Sequence, residues 1–399
     1  MMAAIRAGQL QQDVTLIEKN SILGRKLLLS GKGRCNITNA CDLESFLERF
    51  SGNSQFLRDA FKRFFNQDLI DFFEKRGLRL KTERQLRVFP ITDRSDSAVE
   101  VLRRELLKNK VKIVYKSRLK DIFIQDNKIK GLLFTDGKVI PADRVILATG
   151  GLSYGFTGST GEGLEIARKL GHTINPLKPG LVPLEIRQRC LKILEGLTLK
   201  NIRLKFSDGQ RQINSDIGEL LFTDFGISGP LVLTLSGHIV DWLNQNKRVF
   251  VDIDLKPGLS REQLNARLLR EFKLSSKKSL KNTLKSLLPQ RLVNVFMDIA
   301  KINPDKKVSQ ITHLERENLI SLFKGLHLDI IKPRPIEEAM VTRGGISLKE
   351  INPRTMESRR IKGLYFAGEM IDIDADTGGF NLQAAFSTGY LAGESVALN

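Results

Sequence analysis

The chain has 399 residues, and no apolar run in it approaches the length that crosses a bilayer, so no membrane-spanning helix is expected. A secretory signal is missing too, because the opening Met1 to Gln12 carries Arg6 and too short an apolar stretch. Cysteine is scarce: Cys35, Cys41 and Cys190 form no C-x-x-C pair. An odd, unpatterned set speaks against a disulfide framework and fits reduced thiols in a cytoplasm. With only four histidines besides, Cys and His are too few and too scattered for a zinc site, and no metal is expected. Internal repeats and low-complexity tracts are absent as well.

What is present is positive charge. Sixty-four Lys and Arg stand against forty-five Asp and Glu, a formal net charge of +19. A surface of that sign attracts a long polyanion such as RNA and releases counterions on binding; a basic proteome or a gain in solubility is the plain alternative. The excess is uneven. Lys256 to Lys307 holds thirteen cations and four acids, a net of +9 in fifty-two residues. Composition is otherwise that of a protein with large cores, 41% hydrophobic and 27% charged, and the length implies two or three domains.

The most informative segment is the last forty residues. Gly363-Leu-Tyr-Phe-Ala-Gly-Glu369 reads as a strand. Asp372-Ile-Asp-Ala-Asp-Thr-Gly-Gly-Phe-Asn381 reads as a glycine-rich turn, and Leu382 to Val396 as the helix it opens. The first amides of a helix have no partner within it and carry partial positive charge. Such an end suits a phosphate or an electron-rich ring edge. Gly378 and Gly379 let a flat ligand approach the backbone.

Upstream, Met1 to Leu10 reads as helix and Asp13 to Glu18 as a short strand ending in an acid. In a dinucleotide-binding βαβ unit that acid accepts the ribose hydroxyls. Gly24 to Asn39 crowds glycines, a serine and cations together. Gly31 and Gly33 permit positive φ, and Arg25, Lys26 and Arg34 could neutralise a pyrophosphate; a basic surface loop is the alternative. Phe46 to Arg76 is helical by its apolar stripe, Leu86 to Ile91 extended, and Ser97 to Lys108 helical with Asp96 as N-cap. Val111 to Tyr115 is a strand. Leu119 to Ile124 and Gly131 to Thr135 form a meander, with turns at Asp126-Asn127 and Asp136-Gly137. Asp143 to Thr149 is a buried strand, and Gly158 to Gly163 opens a helix over Leu164 to Leu170. His172 follows it, read as structural at a helix end that favours a cation. Leu184 to Phe206, Gln212 to Phe222, Leu231 to Leu235 and Val249 to Ile253 look like strands. Ser260 to Ile299 is helical, and Ala339 to Ser347 returns to strand. A ligand-binding domain interrupted by a β module carrying helices fits this order.

Several of these segments occur in the order of a known family: Gly24 to Asn39, Arg87-Val-Phe-Pro90, Ala148-Thr-Gly-Gly-Leu-Ser-Tyr154, Thr157 to Gly163, Gly218 to Pro230, Val341-Thr-Arg-Gly-Gly345 and Gly363 to Gly393. Together they resemble the BaiN/RdsA, or YhiN-like, family of bacterial NAD(P)/FAD-dependent oxidoreductases, over essentially the whole chain. The resemblance implies an α/β fold: a Rossmann-like FAD-binding domain of the two-dinucleotide-binding type, interrupted by a β-barrel-like insert with a helical subdomain. The expected division is residues 1–187 and 335–399 for the FAD domain, 188–259 and 308–334 for the β-rich insert, and 260–307 for the basic helices. Carried across, Glu18 binds the adenosine ribose and the Leu119 backbone faces adenine. Lys26, Ser30, Gly31 and Arg34 lie along the pyrophosphate and flavin, with Thr149, Gly150 and Gly368 also at the cofactor. Glu369 holds the ribityl chain, while Gly378, Gly379, Phe380, Asn381 and Leu382 lie at the flavin. The family opens with a strand and a glycine-rich turn that do not precede Met1 here. The expectation is therefore a mis-set or truncated start, or impaired FAD binding. Gly155 stands where relatives often carry Pro, and Lys32 where they often carry Gly.

The implied chemistry is reduction of a C=C bond conjugated to a carbonyl, with FAD as cofactor. NAD(P)H is the expected donor, visiting the flavin transiently since no second G-x-G-x-x-G unit is visible. Family members act on a uridine of ribosomal RNA or on unsaturated bile acids. The charge ranks 23S ribosomal RNA first as partner, with the basic insert gripping it and the target base unstacked. Small steroid-like enones come second, and a non-catalytic RNA-binding protein with a degenerate flavin fold is the rival from another class. Cys35, in a Gly-Arg-Cys-Asn turn among cations, is the candidate acid through a lowered thiol pKa; a buried packing thiol is the alternative. A cytoplasmic monomer is expected.

Overall fold

The computed structural model describes residues 1–398, and the side chains of Arg189 and Cys190 lie outside the described residues. The chain divides into two units, Met1–Gly180 with Ala339–Asn399, and Leu181–Glu338.

In the first unit, short apolar triplets make parallel strands. Thr15–Ile17 pairs with Lys112–Val114, and Val145–Leu147 with Leu364–Phe366. Val145, Leu147 and all of Leu364, Tyr365 and Phe366 are buried, the near-continuous apolar run of a strand covered on both faces. The parallel strands thus lie in two separate pairs. Helix Met2–Gln9 packs on both Ser95–Lys108 and the C-terminal helix Phe380–Leu398. The crossing is backbone to backbone: a Cβ on Gly393 would meet the Ala3 carbonyl oxygen at 2.2 Å. The meander is Leu119–Gln125, Lys128–Phe134 and Val139–Pro141, turning at Asp126 and Asn127, both at positive φ. Ile174–Gly180 pairs antiparallel with Val341–Ile346, which ties the unit's two stretches of chain together.

The second unit is a closed antiparallel barrel. Thr198–Ser207, Gly218–Phe222, Gly226–Ser228, Leu184–Ile186, Leu326–Pro333 and Val249–Asp254 pair in that order, and the last returns to Thr198–Ser207. Its inward residues, among them Leu204, Phe206, Phe222 and Val251, share one core with Leu264, Leu284, Phe296 and Phe323 from the surrounding helices. Residues 260–307 therefore have no core of their own. Leu184–Ile186, expected in the cofactor domain, belongs to the barrel.

Other differences have local causes. Phe46 to Arg76 is four short helices, Leu43–Leu47, Ser54–Leu57, Arg58–Arg63 and Asn66–Glu74, interrupted where Asn53 takes positive φ. Leu231 to Leu235 is helix, not strand: it begins Pro230–Asn244, where Pro at the first turn has no amide to leave unsatisfied. Leu184 to Phe206 breaks at the 3-10 turn Arg189–Leu194. Ser260 to Ile299 is Arg261–Leu274, Leu280–Leu284 and Gln290–Ala300, separated near Ser275 to Ser279 and at Pro289. Asp96 lies inside Ser95–Lys108, whose N-cap is Arg94. His172 is buried, 2.7 Å from the Ser358 hydroxyl, and burial lowers its pKa, so it is not the cation that the helix end favours.

Candidate cofactor site

The C-terminal helix Phe380–Leu398 starts after Gly378 and Gly379, at φ +135° and +98°. A Cβ on Gly379 would come within 2.4 Å of the Thr38 carbonyl carbon and oxygen, so only glycine lets this turn lie against residues 36–39. The contact is pinned on both sides. Asn39 Nδ2 donates to the Gly378 carbonyl at 3.2 Å, and the buried Thr38 hydroxyl donates to Gln383 Oε1 at 2.6 Å. The amides of Phe380, Asn381 and Leu382 open the helix and have no acceptor within it.

Side chains at this end are already committed. Asn381 clamps the preceding loop: its Oδ1 accepts from the Ala375 amide at 2.9 Å, and its Nδ2 donates to the Ala375 carbonyl at 2.8 Å. Phe380 is core, edge-on to Phe46 with centroids 4.7 Å apart. Leu382 packs against the core that holds Phe386 and Phe73. Of the residues expected at the flavin, these three offer backbone amides.

Lys26, Glu369 and Ser153 form a second cluster. Lys26 Nζ pairs with Glu369 and donates to the Ser153 hydroxyl at 2.7 Å. Glu369 Oε1 accepts from that hydroxyl at 2.6 Å and from the Thr342 amide at 2.7 Å. Gly150 and Gly368, both at positive φ, sit beside it, and a Cβ on Gly150 would be 3.7 Å from Glu369 Oε2. The Thr149 amide and hydroxyl face Met370 Sδ at 3.3 and 3.2 Å.

Glu18 follows strand Thr15–Ile17. Its Oε1 accepts from the Asn20 amide and side chain, each at 2.8 Å, while its Oε2 has no hydrogen-bond partner among the described residues. The Ser117 amide donates to the Glu18 carbonyl at 3.1 Å, which brings Leu119 to this end. The glycine-rich loop before helix Glu162–Lys169 joins as well, since Asn20 Nδ2 donates to the Thr157 carbonyl at 2.9 Å and Lys19 pairs with Glu162 at 2.9 Å. Burial raises the Glu162 carboxyl, but its hydrogen bonds from Thr160, Lys19 and Arg118 outweigh that and bring it to about 2.

Two expectations are corrected. Arg34 is not free for a pyrophosphate: Glu83 and Asp93 hold its guanidinium, which lies over the Phe89 ring at 4.2 Å. Cys35 is fully buried, and desolvation pushes its thiol up to about 12 against a weaker opposing bond with Ser30. The cations adjacent in sequence do not reach it, so the lowered pKa expected for an acid is reversed. Ser30 donates to the Leu27 carbonyl at 2.7 Å, and Gly31 sits at φ +58°, tight against the Asn36 amide.

Sequence reasoning missed two residues. Asn36 is buried, and its Oδ1 has no hydrogen-bond partner among the described residues. Asp376, in the loop before the C-terminal helix, has its carboxyl raised to about 6 by burial; Arg49 opposes the rise and Asp374 adds to it. The Asp376 amide donates to the Arg49 carbonyl at 2.9 Å, and Asp374 itself accepts from Ser51 at 2.6 Å and lies 3.7 Å from Arg343. The signal was the repeated acid of Asp372-Ile-Asp-Ala-Asp376, which alternates with apolar residues as a half-buried strand does.

These features fit FAD. Glu18 Oε2 is an available acceptor for a ribose hydroxyl. Asn36 Oδ1 is a buried acceptor in need of an N–H such as a flavin ring carries. The helix opening supplies amides for the electron-rich ring edge. An open hollow of about 680 Å³ beside Ile22, Val99, Arg103 and Tyr115 shares none of these residues. Among the described residues, no group of His, Cys, Asp and Glu could hold a metal ion, and no helix is long and apolar enough to cross a membrane.

The model of the HI0933-like protein Rossmann domain matches residues 1–395. The chain belongs to the HI0933-like family. HI0933-like proteins are FAD-dependent oxidoreductases, and curated relatives match over nearly their whole length. A 3-dehydro-bile acid delta(4,6)-reductase of Clostridium scindens is 32% identical, covering 100% of this chain and 96% of its own. A ribosomal RNA dihydrouridine synthase of Escherichia coli is 31% identical over 99% and 95%. Another from Haemophilus influenzae is 31% identical over 100% and 96%. Among solved structures, a 3-ketosteroid delta1-dehydrogenase from Sterolibacterium denitrificans superposes with a TM-score of 0.53 at 12% identity, covering 99% of this chain and 97% of that one. A 3-ketosteroid-delta4-(5alpha)-dehydrogenase from Rhodococcus jostii gives 0.50 at 15% identity, over 100% and 94%. At those identities the likeness is one of fold, and it agrees with a Rossmann-like FAD-binding domain carrying an insert.

Proposed function

We propose that this HI0933-like protein reduces a uridine of 23S ribosomal RNA to dihydrouridine, with FAD as bound cofactor and NAD(P)H as electron source. The observation that carries the choice of substrate is the net +9 of residues 256–307, inserted into an FAD-binding fold. A polyanionic substrate gives that charge a use and a neutral one does not. The full-length likeness to two ribosomal RNA dihydrouridine synthases supports it.

FAD held here would, once reduced by NAD(P)H, supply hydride chemistry for the β carbon of a conjugated C=C bond, which in uracil is C6. The chain's own groups do the rest. The amides of Phe380, Asn381 and Leu382 would stabilise negative charge on the flavin ring. Glu18 would hold the adenosine ribose, and the Lys26–Glu369–Ser153 cluster would fix the loops that hold the ribityl chain. Asp376, protonated to higher pH than an ordinary carboxyl, delivers the proton to C5 and regains one from water.

The bile-acid reductase relative favours a second reading, reduction of a small steroid-like enone. Mass mapping of reduced uridines in ribosomal RNA from cells with and without this gene decides between them. Loss of a dihydrouridine from 23S RNA supports the first. An unchanged set, together with turnover of a free enone at a KM insensitive to salt, supports the second.

A further inference from the structure

The barrel unit's positive charge is concentrated where helix Arg261–Leu274 ends and the short helix Leu280–Leu284 begins. Arg270, Lys273, Lys277 and Lys278 are exposed there, and Lys281 is half-buried. Lys307 joins them from another segment, because Ser279 and Lys307 form a backbone bridge and the Val308 amide donates to the Lys278 carbonyl at 3.1 Å. Lys307 is exposed as well. None of the six forms an ion pair among the described residues, whereas the neighbouring Lys306 is paired with Glu315 at 2.7 Å. The acids on the same segments are Glu262, in the first turn of Arg261–Leu274 and so at the far end of that helix, Glu271 and Asp305.

Helix electrostatics does not account for this arrangement. A cation in the last turn of Arg261–Leu274, such as Lys273, complements the helix dipole. Lys277, Lys278 and Lys281, at the amino end of Leu280–Leu284, oppose it. Nor is this a membrane-binding face. The apolar sides of both helices, Leu264, Leu268 and Phe272 with Leu280 and Leu284, are buried in the barrel unit's core. An interfacial helix needs such a face free. Leu269 and Leu274 are exposed on helix Arg261–Leu274, at 44% and 83%, but stand five positions apart and form no continuous stripe. Six uncompensated cations beside two isolated leucines match a nucleic-acid backbone, whose phosphates repeat at short intervals.

We propose that Arg270, Lys273, Lys277, Lys278, Lys281 and Lys307 form a surface that binds phosphates of the ribosomal RNA backbone, positioning the RNA without reading its sequence. This rests on the RNA reading of the function. Phosphate contacts of this kind set orientation and affinity and leave base choice to the catalytic unit.

The test compares three full-length proteins binding an unmodified 23S ribosomal RNA transcript across a salt series. One is wild type. One carries Lys273→Gln, Lys277→Gln, Lys278→Gln and Lys307→Gln. The control carries Lys110→Gln, Lys112→Gln, Lys130→Gln and Lys138→Gln, equally exposed and in the other unit. Circular dichroism and melting temperature confirm that each is folded. The surface variant should bind roughly ten- to a hundred-fold more weakly. Its log K against log salt slope should be shallower by about three, since each phosphate left without its cation removes about 0.7 to 0.9. The control should stay near wild type. If the control loses as much as the surface variant, or the surface variant loses nothing while wild type binds steeply with salt, the surface is wrong and the RNA reading stands. If wild type does not bind the transcript, or binds vesicles of phosphatidylcholine and phosphatidylglycerol instead, the RNA reading fails and the surface with it.

Discussion

Glu369 closes on the ammonium of Lys26 although the two stand 343 positions apart. The Ser153 hydroxyl and the Thr342 amide bond to the same carboxylate, so four separate segments of the cofactor unit meet on one side chain. Both charges are largely shielded from water, and removing either leaves the other without its partner.

Glu369→Gln should therefore destabilise the protein by about 1–3 kcal/mol, read as a lower urea midpoint with an unchanged m value. FAD affinity should fall with it, because the proposed site assigns the loops that the cluster holds to the ribityl chain. In a double-mutant cycle with Lys26→Gln, the two losses should combine to less than their sum. Simple additivity would mean that the pair is not coupled.

Gly379→Ala should cost roughly 2–4 kcal/mol, combining a disfavoured backbone conformation with displacement of residue 38. Gly155→Ala is the contrast: nothing lies within 4 Å of its Cβ position and its φ is not positive, so its effect should stay within about 0.5 kcal/mol. Equal unfolding midpoints for the two variants would show that the helix opening is not held against Thr38 as described.

Native protein treated with iodoacetamide should be alkylated at Cys41 before Cys35. Cys35 is fully buried and its thiol is pushed up to about 12, while Cys41 is half-buried. Peptide mass spectrometry reads the order directly. Cys35→Ala should keep the enzyme's pH profile. A lost or displaced profile would restore the thiol as the acid.

Asp376 should make stability fall as pH rises. Its folded pKa, about 6, lies above the ordinary value of 3.8, so the folded state binds the extra proton between those values. The contribution is fully present below pH 3.8 and is lost as pH passes through 6. Asp376→Asn should remove this dependence and stabilise the protein above pH 6 by roughly 1–2 kcal/mol, allowing for partial exposure. The fall of kcat as pH rises through about 6, expected of a proton donor, should be lost or displaced with it. A pH–stability curve identical to wild type would remove Asp376 from the account.

The carboxy-terminal half of the site was legible because it depends on local rules. Paired glycines between an apolar triplet and an amphipathic run announce a strand, a turn and a helix opening. Long-range pairing was not legible. Arg34 looked free among neighbouring cations, but its carboxylates come from Glu83 and Asp93, far along the chain. Cys35 looked activated for the same reason, and burial, which leaves no mark on a single residue, reversed the expectation. Asn36 carries no periodic signal; only the packed neighbourhood shows its oxygen to be without a partner. In the barrel unit, Leu231 to Leu235 is apolar apart from Thr234 and fits strand or buried helix equally. The Gly-Pro at 229–230, a helix-start signal, was the cue that decides it.

The central claim is that a flavin rests against the amino end of helix Phe380–Leu398. Titrating purified full-length protein with FAD, while following the visible absorption of the flavin, tests it most directly. The account predicts saturable binding near one FAD per chain, with perturbed flavin bands and markedly weaker binding in Gly379→Ala variants that remain folded. Protein that stays colourless and leaves the FAD spectrum unchanged at every concentration would contradict it.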